Sequence, residues 1–239
     1  MGKPKSPRSL DAVPRPSAGS RTQPLTTDAR ALARLRAADP VMARLIDEYG
    51  APDGVLARRG RRPGDAYGAL LRSIVGQQLS SKAARTIYER LTDLFAGRAP
   101  TPRELLEVDP ERLREAGLSR AKVAYLRDLA EHVEDGELDL EHLAELESDE
   151  IAERLTAIKG LGPWTVDMFL IFHLGRPDIL PVGDLGIRRA VQLAYDLEEL
   201  PKPAELERIA EPWRPARSLA CLYLWRSLDA RDEAVVARR

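Results

Sequence analysis

A chain of 239 residues with 44% apolar residues, 31% charged residues and a net charge of −1 has room for one large domain or two small lobes with an ample core. Its single cysteine, Cys221, excludes an internal disulfide, a cysteine-based zinc site and a four-cysteine iron–sulfur cluster. Arg, Asp, Gly or Pro interrupts every apolar run before it could span a membrane, and the basic N-terminus lacks the apolar stretch of a secretory signal, so a cytoplasmic protein is expected.

Residues 1–27 are rich in Pro, Ser, Thr and Arg, which predicts a disordered basic tail ahead of a helical region over 28–239. There, "TDARALARLRAADPVMARLIDEYG" offers Thr27 or Asp28 as a cap, breaks at Asp39-Pro40 into two helices and stops at Gly50. "DAYGALLRSIVGQQLSSKAARTIYERLTDLF" has apolar residues at helical spacing on both sides of a polar interruption from Gly76 to Ser81. "TPRELLEV" and "DPERLREAG" each place a capping residue before a proline. "SRAKVAYLRDLAEHVEDG" is an amphipathic helix ended by Gly136, and "SDEIAERLTAI" leads into "GPWTVDMFLIFHLG". "GDLGIRRAVQLAYDL", "KPAELERIAEPW" and "RPARSLACLYLWRSLDA" follow. About ten helices, no strand-like alternation and no internal repeat predict an all-α architecture.

The near-neutral sum hides a division of charge. Much of the acid lies in one run, Glu131 to Glu153, read as a solvated helical face. Basic residues cluster at Arg58, Arg59, Arg61 and Arg62, at Arg188 and Arg189, and at Arg214, Arg217 and Arg226, so a local basic surface is compatible with the sum. His132, His142 and His173 form no metal-ligand pattern with carboxylates, and no catalytic metal or cofactor is expected.

Two stretches carry the chemistry. In "LTAIKGLGPWTVDMF", Gly160 and Gly162 permit positive φ and close backbone approach, and Pro163 suits the first turn of a helix. The N–H groups of such a turn and helix start form an anion site, able to hold a DNA phosphate without reading sequence. A helix joint that binds nothing would look the same, but Lys159 before the turn and a specific downstream segment favour function. That segment, "DILPVGDLGIRRA", sets Asp184 ahead of an amphipathic helix, where an ordinary N-cap is the competing reading.

Together these stretches resemble the helix–hairpin–helix DNA glycosylase superfamily, and within it the 3-methyladenine DNA glycosylase II group. "LLRSIVGQQLSSKAA", "GLSRAKVAYLRDLA" and "WRPARSLACLYLWRS" look like further stretches of that group in the same order, so the resemblance covers roughly residues 28–228. It implies a two-lobed all-α fold, with double-stranded DNA carrying a damaged base bound across the cleft and one nucleotide flipped. Asp184 matches the catalytic aspartate. Residues 159–163 match the phosphate-binding hairpin, with Lys159, Gly160 and Gly162 on DNA and hairpin carbonyls able to hold a structural monovalent cation. Gln78 matches the side chain inserted into the gap left by the flipped base, and Ser80 and Arg188 fall at DNA-binding positions. Trp164, Met168 and Trp225 fall at the base pocket, with Trp225 stacking on the base. The segment before Asp28 is too short and polar for the β-rich domain of some members, so a compact, monomeric form is expected. A single Gly183-Asp184 stands where some relatives have two adjacent aspartates.

Breaking the bond from C1′ to a ring nitrogen makes the sugar oxocarbenium-like, and a desolvated carboxylate beside it stabilises that charge. A base alkylated at N3 or N7 is already cationic and leaves with little acid assistance, and an indole face attracts it. Strand-cutting relatives carry a lysine just after the hairpin. Trp164 stands there, so release of the base without strand cleavage is expected. Two alternatives remain open: a noncatalytic helix–hairpin–helix DNA-binding module, and a glycosylase for other damaged bases such as ethenoadenine, hypoxanthine or oxidised bases.

Overall fold

Sequence-local signals set most helix boundaries. The computed structural model describes residues 29–50 and 65–236, and no side chain beyond 231. The tail over 1–27, the cap at Thr27 or Asp28 and the Arg58–Arg62 cluster lie outside the described residues. Twelve α-helices and no strand occur among those described. They are α1 (Ala29–Ala38), α2 (Pro40–Tyr49), α3 (Ala66–Gly76), α4 (Ser81–Asp93), α5 (Pro102–Glu107), α6 (Pro110–Glu115), α7 (Arg120–Glu134), α8 (Ser148–Thr156), α9 (Pro163–Phe172), α10 (Leu185–Ala194), α11 (Pro203–Ala210) and α12 (Arg217–Val236). Asp39, Asp65, Ser80, Thr101, Asp109, Ser119 and Asp184 each accept a backbone N–H at a helix start, satisfying donors the helix itself leaves open. Thr101 and Glu104 complete a reciprocal capping box.

The acid run from Glu131 is not one helical face. Gly136, at φ 76°, ends α7, and a short 3-10 turn over Leu143–Glu145 intervenes before α8. Only glycine adopts that backbone freely, so the chain reverses there and the acidic residues spread over two helices and a loop.

Two hydrophobic cores result among the described residues. The first is built by α3 to α9 around Leu70, Leu71, Leu126, Leu129, Ile151 and Leu155. The second joins α1 and α2 to α10, α11 and α12 around Met42, Ile187, Val191, Trp213 and Tyr223. Helix α9 serves both: Val166, Phe169 and Leu170 face the first core and Ile171 the second. This explains why "PWTVDMFLIF" is apolar nearly all round rather than on one stripe. Asp39 anchors the N-terminal pair. Its Oδ1 caps α2, while its Oδ2 accepts from Tyr195 Oη (2.5 Å) and Trp213 Nε1 (2.9 Å).

Candidate active site

The turn between α8 and α9 is held from three sides. Asp128 of α7, buried beneath it, accepts the backbone N–H of Lys159 (2.9 Å) and its ammonium (2.7 Å). Burial opposes the Asp128 charge, but these hydrogen bonds outweigh it and hold the carboxyl below its usual range. Gln77 Nε2 donates to the carbonyl of Gly160 (2.6 Å). Gly160 itself has φ 84°, and a Cβ there would run into the Tyr125 ring. Gly162 differs from expectation: its φ is −77° and nothing lies within 4 Å of where its Cβ would be. Gly160 is thus demanded by fold and packing, whereas Gly162 keeps the approach to the turn open.

Among the described residues no hydrogen bond uses the N–H of Gly160 or Gly162, and α9 has no side-chain cap. These donors, with those of the first turn of α9, are a set of the kind that an anion can use. The ammonium of Lys159, expected on DNA, pairs with Asp128 and so helps fasten the turn, while most of the side chain stays exposed. Lys159 and Leu161 carbonyls accept no hydrogen bond among the described residues. Hard oxygens of this kind fit a monovalent cation, which would brace the turn and take no part in the chemistry.

The α3–α4 loop stands beside the hairpin. Lys122 Nζ donates to the carbonyls of Val75 and Gln77, both at 2.8 Å. Just beyond these fixed points Gln78 takes φ 57°, uncommon for a residue with a side chain, and is exposed. Such a conformation costs about 1–3 kcal/mol and persists because its surroundings over-determine it. Leu79 beside it is an exposed large apolar residue. Ser80 is exposed and caps α4.

Asp184 caps α10 and meets two indoles. At φ −74°, ψ 114° its side chain folds back over α10, and Oδ1 accepts from Ile187 N (2.7 Å). Oδ1 also accepts from Trp225 Nε1 (3.2 Å), and Oδ2 accepts from Trp164 Nε1 (2.7 Å). The carboxylate is 9% exposed, at the positive end of a helix and facing three N–H donors. Gly186 makes the arrangement possible, because a Cβ there would stand 2.9 Å from Asp184 Oδ1 and 3.6 Å from the Trp225 ring.

The two tryptophans divide differently from the expectation. Trp225, assigned to stack on the base, is 3% exposed, belongs to the second core and packs on Phe172 at 5.7 Å between ring centres. It has no face to offer a base in this conformation; its N–H orients the carboxylate instead. Trp164 is 48% exposed and is the indole open to a ligand. Met168 is half-buried against the second core. Arg188 donates through Nε to the Pro201 carbonyl (2.8 Å), which ties α10 to the turn before α11.

Three residues at the site had not been singled out. Gln77 and Asp128 act through contacts across 83 and 31 residues, which no local pattern reveals. Asp167 had a visible signal, as the one charge inside the apolar α9.

Residues 71–215 match the model of the HhH-GPD superfamily of base excision DNA repair proteins. The chain belongs to that superfamily. It is 38% identical over 170 residues to DNA-3-methyladenine glycosylase 1 of Schizosaccharomyces pombe, spanning 70% of this chain and 75% of that one. A second relative, from Bacillus subtilis, is 32% identical over 169 residues, 68% of this chain and 59% of its own length. Among solved structures, the Schizosaccharomyces pombe 3-methyladenine DNA glycosylase in complex with abasic DNA superposes with a TM-score of 0.69, at 34% identity over 82% of this chain and 95% of that one. A DNA-3-methyladenine glycosidase from Bacillus halodurans gives 0.67, at 37% identity over 82% and 92%.

Proposed function

We propose that this protein hydrolyses the N-glycosidic bond of alkylated purines of the 3-methyladenine and 7-methylguanine type in double-stranded DNA, after flipping the nucleotide, and leaves an abasic site. The observation that carries this reading is Asp184, a nearly buried carboxylate held by two indoles beside one exposed indole face. A plain DNA-binding module has no use for such a group. The relatives named above are called 3-methyladenine glycosylases, which supports the same substrate class.

The geometry supports a division of labour. Open N–H groups at the hairpin take a phosphate, while Gln78 and Leu79 offer a polar and an apolar side chain to the gap in the base stack. The exposed Trp164 face attracts a cationic purine by about 0.5–2 kcal/mol, and stacking adds about 1–3 kcal/mol per base. Together these match the few kcal/mol that flipping costs. Admission of the sugar requires Trp164 to yield its hydrogen bond on Oδ2, which exposes the carboxylate to C1′ as positive charge develops there. One chain carries all of these groups, so a monomer suffices. The direct test is incubation with methylated duplex DNA and chromatography of the released bases; absence of 3-methyladenine and 7-methylguanine from the supernatant would sink the reading.

Two further results are expected. Gly162→Ala folds normally, since its Cβ meets nothing, and weakens binding to damaged and undamaged duplexes alike. Gly160→Ala instead loses stability, by roughly 1–3 kcal/mol or more, because φ 84° and the Tyr125 ring both oppose it. Melting curves beside duplex titrations check both; a loss of binding confined to one lesion would move the hairpin into the pocket. The protein is also expected to lack strand-cleaving activity. Trp164 occupies the position after the hairpin, and the ammonium groups of Lys159 and Lys122 are engaged elsewhere. Borohydride trapping of a covalent protein–DNA adduct at yields comparable to base release would contradict this.

A further inference from the structure

We infer that Asp167 is a general acid of the same site, whose carboxyl hands a proton to a leaving base that carries no charge of its own. This extends the excision proposed above, on which it rests, from cationic alkylpurines to neutral purines such as hypoxanthine.

Asp167 lies on α9 three residues beyond Trp164, so the two project from one face of the helix. Trp164 reaches Asp184 from that face through the 2.7 Å hydrogen bond. Asp167 is half-buried, between Val166 in the first core and Met168 against the second. No hydrogen bond or ion pair engages it among the described residues. A carboxylate without a partner in such surroundings is costly, which favours the protonated form.

The groups that act on it are few. Asp184, at the head of α10, contributes a like charge. The fully buried Cys221 thiol of α12 feels both carboxyls, and its burial keeps it neutral. Neither α3 nor α8, the other helices packed on α9, brings a charge to bear on Asp167. Burial, and then the Asp184 charge, push its carboxyl up to about 7. Two carboxyls in unlike surroundings thus divide into one anion and one acid near neutral pH.

The chemistry balances as a hydrolysis. As the C1′–N bond breaks, its electron pair goes to the base, and the Asp167 proton moves to a ring nitrogen so that the base leaves neutral. Water adds to C1′ and gives up a proton toward Asp184, and solvent reprotonates Asp167. A base that is already cationic leaves neutral without that proton.

The test compares release of hypoxanthine and of 7-methylguanine by the wild-type chain and by Asp167→Asn, from about pH 5.5 to about pH 8.5. In the wild type the hypoxanthine-to-7-methylguanine ratio should fall as pH rises through about 7. In the variant the ratio should be lower by about 10²-fold and flat with pH. Thermal melting supplies a readout independent of activity. A raised carboxyl binds more protons folded than unfolded, so wild-type stability falls as pH rises from the ordinary carboxyl range through about 7. The variant should therefore melt above wild type at high pH, with the gap closing in acid. Parallel loss of both activities, a pH-independent wild-type ratio, or a variant that melts lower at high pH would each overturn the inference. Wild-type protein that releases 7-methylguanine but no hypoxanthine even in mild acid would overturn it too and leave the glycosylase reading intact. Release of neither base would overturn both.

Discussion

Asp184→Asn should lower base release by roughly 10³-fold or more while the protein stays folded and still binds a duplex bearing an abasic-site analogue. Asparagine caps helices as well as aspartate does, so the Ile187 N–H keeps its acceptor and α10 its start. The amide oxygen then faces the two donors on Oδ1, from Ile187 and Trp225. The amide nitrogen faces Trp164 Nε1, donor against donor. The variant therefore loses the negative charge at C1′ and also lets go of the exposed indole. Rates of 7-methylguanine release, with tryptophan fluorescence as a monitor of Trp164, separate the two effects. Near-normal turnover would remove Asp184 from the chemistry and leave it a helix cap.

Trp225→Ala should cost about 3–5 kcal/mol of folding stability and depress release of every base in parallel. The indole is 3% exposed, packs on Phe172 and fills the second core, so truncation leaves a cavity that its neighbours only partly close. It also removes one donor from Asp184 Oδ1. Trp225→Phe isolates that second effect, since it keeps most of the volume and loses only the N–H: a small melting shift with a clear loss of rate is expected. Melting curves and the ratio of 7-methylguanine to hypoxanthine release decide the matter. Trp225→Ala with native melting and an altered ratio would restore the stacking role that the resemblance implied.

The contrast between the two tryptophans marks where sequence reading reached its limit. Both sit in apolar helical segments, and neither spacing nor neighbours says which indole is swallowed by a core. The choice follows from α9 serving two cores while α12 lies within one. Likewise, Gly160 and Gly162 are equivalent in the string "KGLGP", yet only Gly160 has a ring pressed against it, supplied by Tyr125 from 35 residues earlier, as the difference 160 − 125 gives. Nothing in the neighbourhood of Lys159 announces Asp128, which comes up beneath the turn from 31 residues earlier and pairs with its ammonium.

What the sequence by itself determined were the features written into near neighbours. Capping residues followed by proline, glycine stops and the 3.6-residue apolar rhythm set the helices, because those forces act within one or two turns. The ordered motifs from Leu70 to Ser227 likewise pointed to the class and singled out Asp184. Only the tertiary structure decided what surrounds that aspartate. Its two indoles come from 20 and 41 residues away, the brace on the hairpin from 31 and 83, and the like charge that adds to burial in raising the Asp167 carboxyl from the next helix. Hydrogen bonding and burial at such separations depend on how the two cores close on α9, and no periodicity in the chain encodes that closure.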